Sequence, residues 1–409
     1  MERITTLLRN RDIFIFTLLT LIISGASSIG NNQIFRVVFL CLLAMMVKAK
    51  NKPLFDRNTI SIILIWLFIN AISIAYTNSN IYYIQIGANL VNIFISYYIL
   101  VFDGTCFWRK YEQFLYKMVQ ISLVFYVLSL IFPSIFETLS TYFRWFADDV
   151  YYEKSTQKNY LYMFFFTSTG HDTFRNCGFM FEPGAFAMIL IILIGINSLN
   201  GDDISYRHIK LYFVALITTF STAGYLALVI LGLIYLNKSK SAFNKVFFIL
   251  GGIILITYSL DLEWIMPKIN SYIKEFDAGE TFRQETSNFE EANRLLSAKY
   301  LLDKSLILPL GWGISEDQIS TMAKNDIVTV NGLFSFLCTW GWPCFIFAMV
   351  CIYKFYQRFT IDNKPSISIL FAYIATLITL FSNPIQRNPI FFLLILTPII
   401  FKSHKLLRL

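Results

Sequence analysis

Charge is scarce in this chain: only 15% of its 409 residues are Asp, Glu, Lys or Arg, against about 25% in a typical soluble domain. With 56% hydrophobic residues, 41 Phe and 23 Tyr, too few polar side chains remain to coat a soluble core. The composition also excludes a disordered chain and a disulfide scaffold. There is no GxGxxG, P-loop, GxSxG or HExxH, the usual marks of soluble nucleotide enzymes, hydrolases and metalloproteases. The only histidines are His171, His208 and His404, so no histidine-built metal site is expected. Six cysteines form no CxxC pair and no Cys/His spacing, and packing is their expected role. No soluble basic face interleaved with aromatics is available for nucleic acid. Internal repeats and low-complexity tracts are absent too.

Long hydrophobic runs are what the chain does have. A helix needs about 20 apolar residues to cross about 30 Å of hydrocarbon. Twelve segments read as spans: 13–29, 34–47, 60–76, 81–102, 118–135, 178–197, 209–221, 222–236, 246–260, 331–353, 366–382 and 389–401. The first has no convincing small-residue cleavage site behind it, so it reads as a retained span. Segments seven and eight read as two helices, because Ser221, Ala223 and Gly224 suit a tight reversal and because the charge bias requires it. With both termini cytoplasmic, the inner pieces hold 21 of the 34 Lys and Arg, as the positive-inside rule expects. Eight acids fall inside, 17 outside, and Glu182 falls within the sixth segment. The inner face is therefore basic, which favours anionic lipid headgroups. The expected fold is all-α, a single polytopic bundle over 1–409 with two large external loops, 136–177 and 261–330.

Loops of that length without structure of their own are usually functional. In the longer one, Ala292, Leu295, Leu296, Tyr300 and Leu301 share one helical face, which predicts an amphipathic helix. In the shorter, YLYMFFF is apolar enough to dip into the membrane interface. Chemistry is expected on that outer side, at four places. In RNCGFMFEPGAFA, Arg175 stands outside the sixth span and Glu182 lies one to two turns inside it, with Pro183 loosening the helix and Gly178, Gly184, Ala185 and Ala187 forming a small-residue stripe. An intramembrane acid either lines a polar cavity or pairs with an arginine such as Arg175 to anchor the fold. In RLLSAKYLLDKSLILPLGWG, Arg294 opens the amphipathic helix and Pro309, Gly311 and Gly313 end it. Arg294 is either solvated surface or a bidentate phosphate grip. Asn331 begins the tenth span, as a sugar-binding amide or as a helix cap. Arg387 sits in FSNPIQRNP between two prolines, as plain surface charge or as a third cation. His171 is the one external histidine, a solvated group or a general base.

Taken in order, these motifs resemble those of the O-antigen polymerases (Wzy type) and the related O-antigen ligases. They are Arg175-x-x-Gly178 with Glu182-Pro183-Gly184, then FSTAGY, then Arg294 with Pro309-x-Gly311-x-Gly313, then Asn331-Gly332-Leu333 running to Leu337 and Gly341. The resemblance covers about the C-terminal two thirds of the chain. It implies a fold like that of polytopic GT-C-type glycosyltransferases. It also implies transfer of a growing glycan from undecaprenyl diphosphate to a lipid-linked repeat unit at the periplasmic face of a bacterial inner membrane, with no metal and no cofactor. Undecaprenyl-diphosphate oligosaccharides, membrane lipids, a chain-length regulator and a flippase are the implied partners. In that scheme Arg175 and Arg294 take the diphosphate and Glu182 serves as base or arginine anchor. Gly184, Asn331, Arg387, His171, Gly311 and Gly313 bind substrate, and Trp145, Tyr151, Tyr152 and Trp312 either stack on sugars or are ordinary interfacial aromatics. The ligases carry a histidine immediately before the asparagine; here it is Val330, which favours the polymerase. The competing functions are a ligase, a lipid-linked oligosaccharide flippase or secondary transporter, and a non-catalytic scaffold.

Overall fold

The computed structural model describes residues 2–77, 82–146, 159–162, 165–168, 175–200, 203–238, 294–312, 331–360, 366–383 and 388–401. The side chains of 2–9, 76–77, 82–84, 159–162, 168, 203–205, 235–238 and 294–297 fall outside that description. Fourteen helices occur among the described residues: α1 (Glu2–Ser24), α2 (Ser28–Asn31), α3 (Gln33–Ala49), α4 (Arg57–Thr77), α5 (Tyr82–Asp103), α6 (Phe107–Ile131), α7 (Pro133–Tyr142), α8 (Pro183–Asn200), α9 (Asp203–Ile217), α10 (Thr222–Lys238), α11 (Arg294–Ile307), α12 (Gly332–Gln357), α13 (Ile367–Ser382) and α14 (Pro389–Ile400). Eleven of the twelve expected spans fall on these helices, and 246–260 lies outside the described residues. Four helical stretches are long and apolar enough to cross a membrane: Arg57–Ala75, Gln85–Ile131, Pro183–Asn200 and Gly332–Gln357. Shorter apolar helices accompany them at Thr222–Ile234, Ile367–Ser382 and Pro389–Ile400.

The centre of the bundle is α8. Its residues from Ala185 to Leu199 are buried without interruption, as an all-round apolar helix requires. It packs against α9 on one side and against α10 and α13 on another, while α12 and α14 pack together beside α5. Gly224 in the first turn of α10 lets that helix approach α8 closely, since a Cβ there would lie 2.9 Å from the Ala187 Cβ.

The structure corrects the sequence expectations in four places. The chain is mostly helical rather than all-α: the shorter loop holds a three-stranded antiparallel sheet of β1 (Asn159–Tyr162), β2 (Phe165–Ser168) and β3 (Arg175–Gly178), in that order. YLYMFFF therefore supplies β1 and β2, where aromatic residues favour the strand, and Tyr162 opposes Phe165. Residues 107–117, expected in a cytoplasmic loop, are already helical, because Phe107, Trp108, Tyr111 and Leu115 form a buried stripe at helical spacing. The sixth span begins at Pro183 rather than at 178, with proline in the first helical position, where its missing N–H is harmless. Pro183 thus starts the helix instead of loosening it, and Gly178 belongs to β3 rather than to a helical stripe. Segments seven and eight are separate helices, α9 and α10, as expected. The break between them holds Phe220 at φ 47°, a left-handed conformation that is strained for a bulky residue.

Candidate functional site

The end of α8 that carries Arg175 and Glu182 is assembled from the bottom by three consecutive carbonyls at the end of α1. Ile23 O accepts from Asn388 Nδ2 at 2.6 Å, Ser24 O from the Phe181 N–H at 3.0 Å, and Gly25 O from Asn31 Nδ2 at 2.8 Å. These are the C-terminal carbonyls a helix cannot satisfy itself, and each draws in a different segment. Phe181 precedes Glu182, and Asn388 caps α14 through its side chain.

β3 is fastened to the α9–α10 break. The Asn176 N–H donates to Thr218 O at 2.9 Å, and Arg175 donates from Nε to Thr219 O at 3.1 Å and from Nη2 to Phe220 O at 2.9 Å. A cation at a helix C-terminus is electrostatically favourable, and these two carbonyls orient the guanidinium. Glu182 stands at the start of α8, its carbonyl accepting from the Phe186 N–H at 3.1 Å. The acid is half-buried at the helix mouth, where the dipole stabilises a carboxylate. That replaces the expected position one to two turns inside the span. Burial pushes the Cys177 thiol up, while Arg175 and Glu182 act on it with opposite sign, so both charges lie within electrostatic reach of one strand.

Asn383, which closes α13, joins this cluster to the start of α12. Its Nδ2 donates to Gly184 O at 3.2 Å and to Thr379 O at 2.8 Å. Its backbone lies so close to Gly332 that no side chain fits there. Asn331 is fully buried beside Gly332 and caps α12 by accepting from the Phe334 N–H at 2.9 Å. Arg175, Glu182, Gly184 and Asn331 are thus brought to one end of the bundle, and the structure accounts for Asn331 as a helix cap.

Gly311 lies elsewhere. α12 is broken at Gly341 (φ 78°, ψ 170°), about 15 Å along the helix from Asn331 at 1.5 Å per residue. Segment 309–312 fills the break: Trp342 N–H donates to Pro309 O at 2.8 Å and Trp312 N–H donates to Cys338 O at 2.9 Å. Gly311 (φ 97°) lies directly against the Gly341 backbone. The helix before it, α11, is the expected amphipathic one, with Tyr300 and Leu301 buried and Leu306 and Ile307 exposed. Arg294 is its first residue, and its side chain lies outside the description. His171, Gly313 and Arg387 lie outside the described residues.

Two features escaped the sequence reading. Asn383 had no signal beyond its place in FSNPIQRNP. At the opposite end of α8, Glu112 and His208, expected in separate loops, meet in a buried cluster. Glu112 Oε1 accepts from Tyr212 OH at 2.7 Å and Asn197 Nδ2 at 3.1 Å and lies 2.7 Å from His208 Nδ1, while Tyr116 stacks on the imidazole at 3.9 Å. No group of three or more His, Cys, Asp or Glu able to hold a metal occurs among the described residues. No protein-family profile, curated protein or solved structure matches the chain.

Proposed function

We propose that this chain is a polysaccharide polymerase of a bacterial inner membrane, acting at the periplasmic face on glycans carried by undecaprenyl diphosphate. In this scheme the bundle crosses the membrane twelve times with both termini cytoplasmic, and the Arg175 end faces the periplasm. The observation that carries the proposal is the gathering of an oriented arginine, Arg175, and a half-buried acid, Glu182, at one end of an otherwise apolar bundle. The motifs that bring them together are those that resemble the O-antigen polymerases.

The chemistry suits these groups. The acceptor hydroxyl attacks the anomeric carbon of the donor, and the sugar–phosphate bond breaks with its electron pair passing to the diphosphate. Arg175, with Arg294 and Arg387 as further cations, stabilises that developing negative charge. Glu182 takes the hydroxyl proton. Gly184 shapes the backbone beside Glu182, Asn331 fixes the start of α12 next to it, and His171 and Gly313 complete the proposed substrate-binding set. An apolar cavity of about 260 Å³ between α4, α12 and α14, lined by Ile62, Trp66, Phe336, Trp340, Phe347 and Phe392, offers room for hydrocarbon within the bundle.

The test is chain length in vivo. Arg175→Ala should leave surface glycans at a single repeat unit, and Arg175→Lys should fail nearly as badly because the forked geometry is lost. Both proteins must be shown to accumulate and to run as monodisperse species. Long glycans made by a normally folded Arg175→Ala protein would remove Arg175 from the mechanism. Glu182→Gln separates a proton acceptor from a structural acid, and retained polymerisation rules out the base role.

A further inference from the structure

Arg36 lies in the first turn of α3, inside an apolar segment, and no carboxylate among the described residues pairs with it. Its neighbours Ile34, Val37 and Val38 are exposed apolar side chains, so this is not a solvated surface arginine. The half-buried guanidinium donates from Nε to Gly30 O at 2.7 Å, and at a longer 3.4 Å from Nη1 to Asn92 Oδ1 and from Nη2 to Asn31 Oδ1. All three acceptors are neutral. A guanidinium has five N–H donors, so two remain uncommitted. A charge in an apolar layer normally has a partner of opposite sign or faces a functional cavity, and this one stands at a helix N-terminus, which adds positive potential of its own.

Its position connects it to the site already described. Asn31, which touches Arg36, also donates to Gly25 O. The two preceding carbonyls of α1 hold Phe181, beside Glu182, and Asn388. One helix end therefore fixes the Arg36 turn, the Glu182 turn and the start of α14 together.

We propose that Arg36 binds a phosphate oxyanion, and that the oxyanion belongs to the diphosphate of the lipid-linked donor. The proposal rests on the polymerase function above and adds a substrate-binding cation that the motifs do not contain. Nε on Gly30 O fixes the plane of the guanidinium, and the Nη edge carries the remaining donors towards the ligand.

The test uses the full chain in nanodiscs of phosphatidylcholine, with farnesyl diphosphate as the probe. Wild type should bind it, R36Q should bind about tenfold more weakly or worse, as expected when a charge-assisted hydrogen bond is lost, and R36K should fall between. R175Q serves as the reference variant. If R36Q binds like wild type while R175Q is weakened, the Arg36 assignment is wrong and the polymerase proposal survives. If wild type does not bind the probe, both fall. If phosphatidylglycerol nanodiscs stabilise wild type but not R36Q, and farnesyl diphosphate has no effect, the ligand is an ordinary lipid headgroup and the substrate assignment is overturned. Should R36Q fail to run as a monodisperse protein, R36K decides, and unchanged affinity in R36K rejects the proposal.

Discussion

A single residue, Asn383, touches two helix starts, α8 through its side chain and α12 through its backbone. Its amide nitrogen bonds Gly184 O while its buried Oδ1 has no hydrogen-bond partner among the described residues and would sit 2.8 Å from a Cβ on Gly184. Gly184→Ala should therefore cost about 1–3 kcal/mol through overpacking. Adding Asn383→Ala should recover part of that loss, because the obstructing oxygen is gone. Thermal unfolding of the two single variants and the double variant in detergent measures this, and strictly additive losses would show that the contact is not the cause. Glu112 is the second residue with an outsized role. Glu112→Ala would strand His208, Tyr212 and Asn197 without their shared acceptor, and a loss of about 3 kcal/mol or more is expected. Glu112→Gln, which keeps an oxygen acceptor, should lose less. None of this was visible in the sequence, since Glu112 and Asn197 are 85 positions apart and only the packing of α6 against α8 and α9 brings them together.

At the scale of elements, the break in α12 has a simple cause. Gly341 takes a positive φ, Pro343 follows it, and the helical pair formed by Cys338 O and Trp342 N–H is opened. Each partner is then satisfied by segment 309–312, so the Pro-x-Gly motif and the helix that follows it form one structural unit. The glycines were legible as a motif, but their mutual contact was not. The start of α8 was misplaced for a related reason. Apolar residues run from Gly178 to Leu199 on both sides of Glu182, and only the structure shows that Gly178 ends β3 and that 179–182 form a turn before the helix. At the opposite end of the bundle, Lys110 bridges Asp12 and Asp103 at 2.9 Å each, tying the middle of α1 to the end of α5. Burial pushes the Asp12 carboxyl up, but its hydrogen bonds from Lys110 and Arg11 outweigh burial and leave it below the usual carboxylate range. A lowered carboxyl stabilises the fold above its unfolded pKa of about 3.9 and loses that effect as pH falls through the folded value. Asp12→Asn should accordingly be less stable than wild type at pH 7, and the gap should close below about pH 4 in thermal unfolding. A gap independent of pH would show that the charge is not responsible.

Among the described residues, charged groups collect at the two ends of the bundle. Arg175, Glu182, Asn331 and Arg36 lie at one end, and Lys110, Asp12, Glu112 and His208 at the other. The proposed orientation puts the second group in the cytoplasm. Green fluorescent protein fused after Leu409 should then fluoresce, while alkaline phosphatase fused at the same point should be inactive. The reverse pattern would invert the bundle and move Arg175 to the wrong side for a periplasmic polymerase. Composition and hydropathy alone determined that this chain is a mostly helical bundle with long apolar helices, because burying so many aromatic and aliphatic side chains leaves few other solutions. Local order also marked the break between α9 and α10 and the amphipathic α11, since those features depend on neighbours in sequence. Tertiary structure alone decided which polar residues meet. Hydrogen bonds from Asn388 and Phe181 to adjacent carbonyls at the end of α1 link positions 365 and 157 residues apart, and no periodicity in the chain encodes such a meeting.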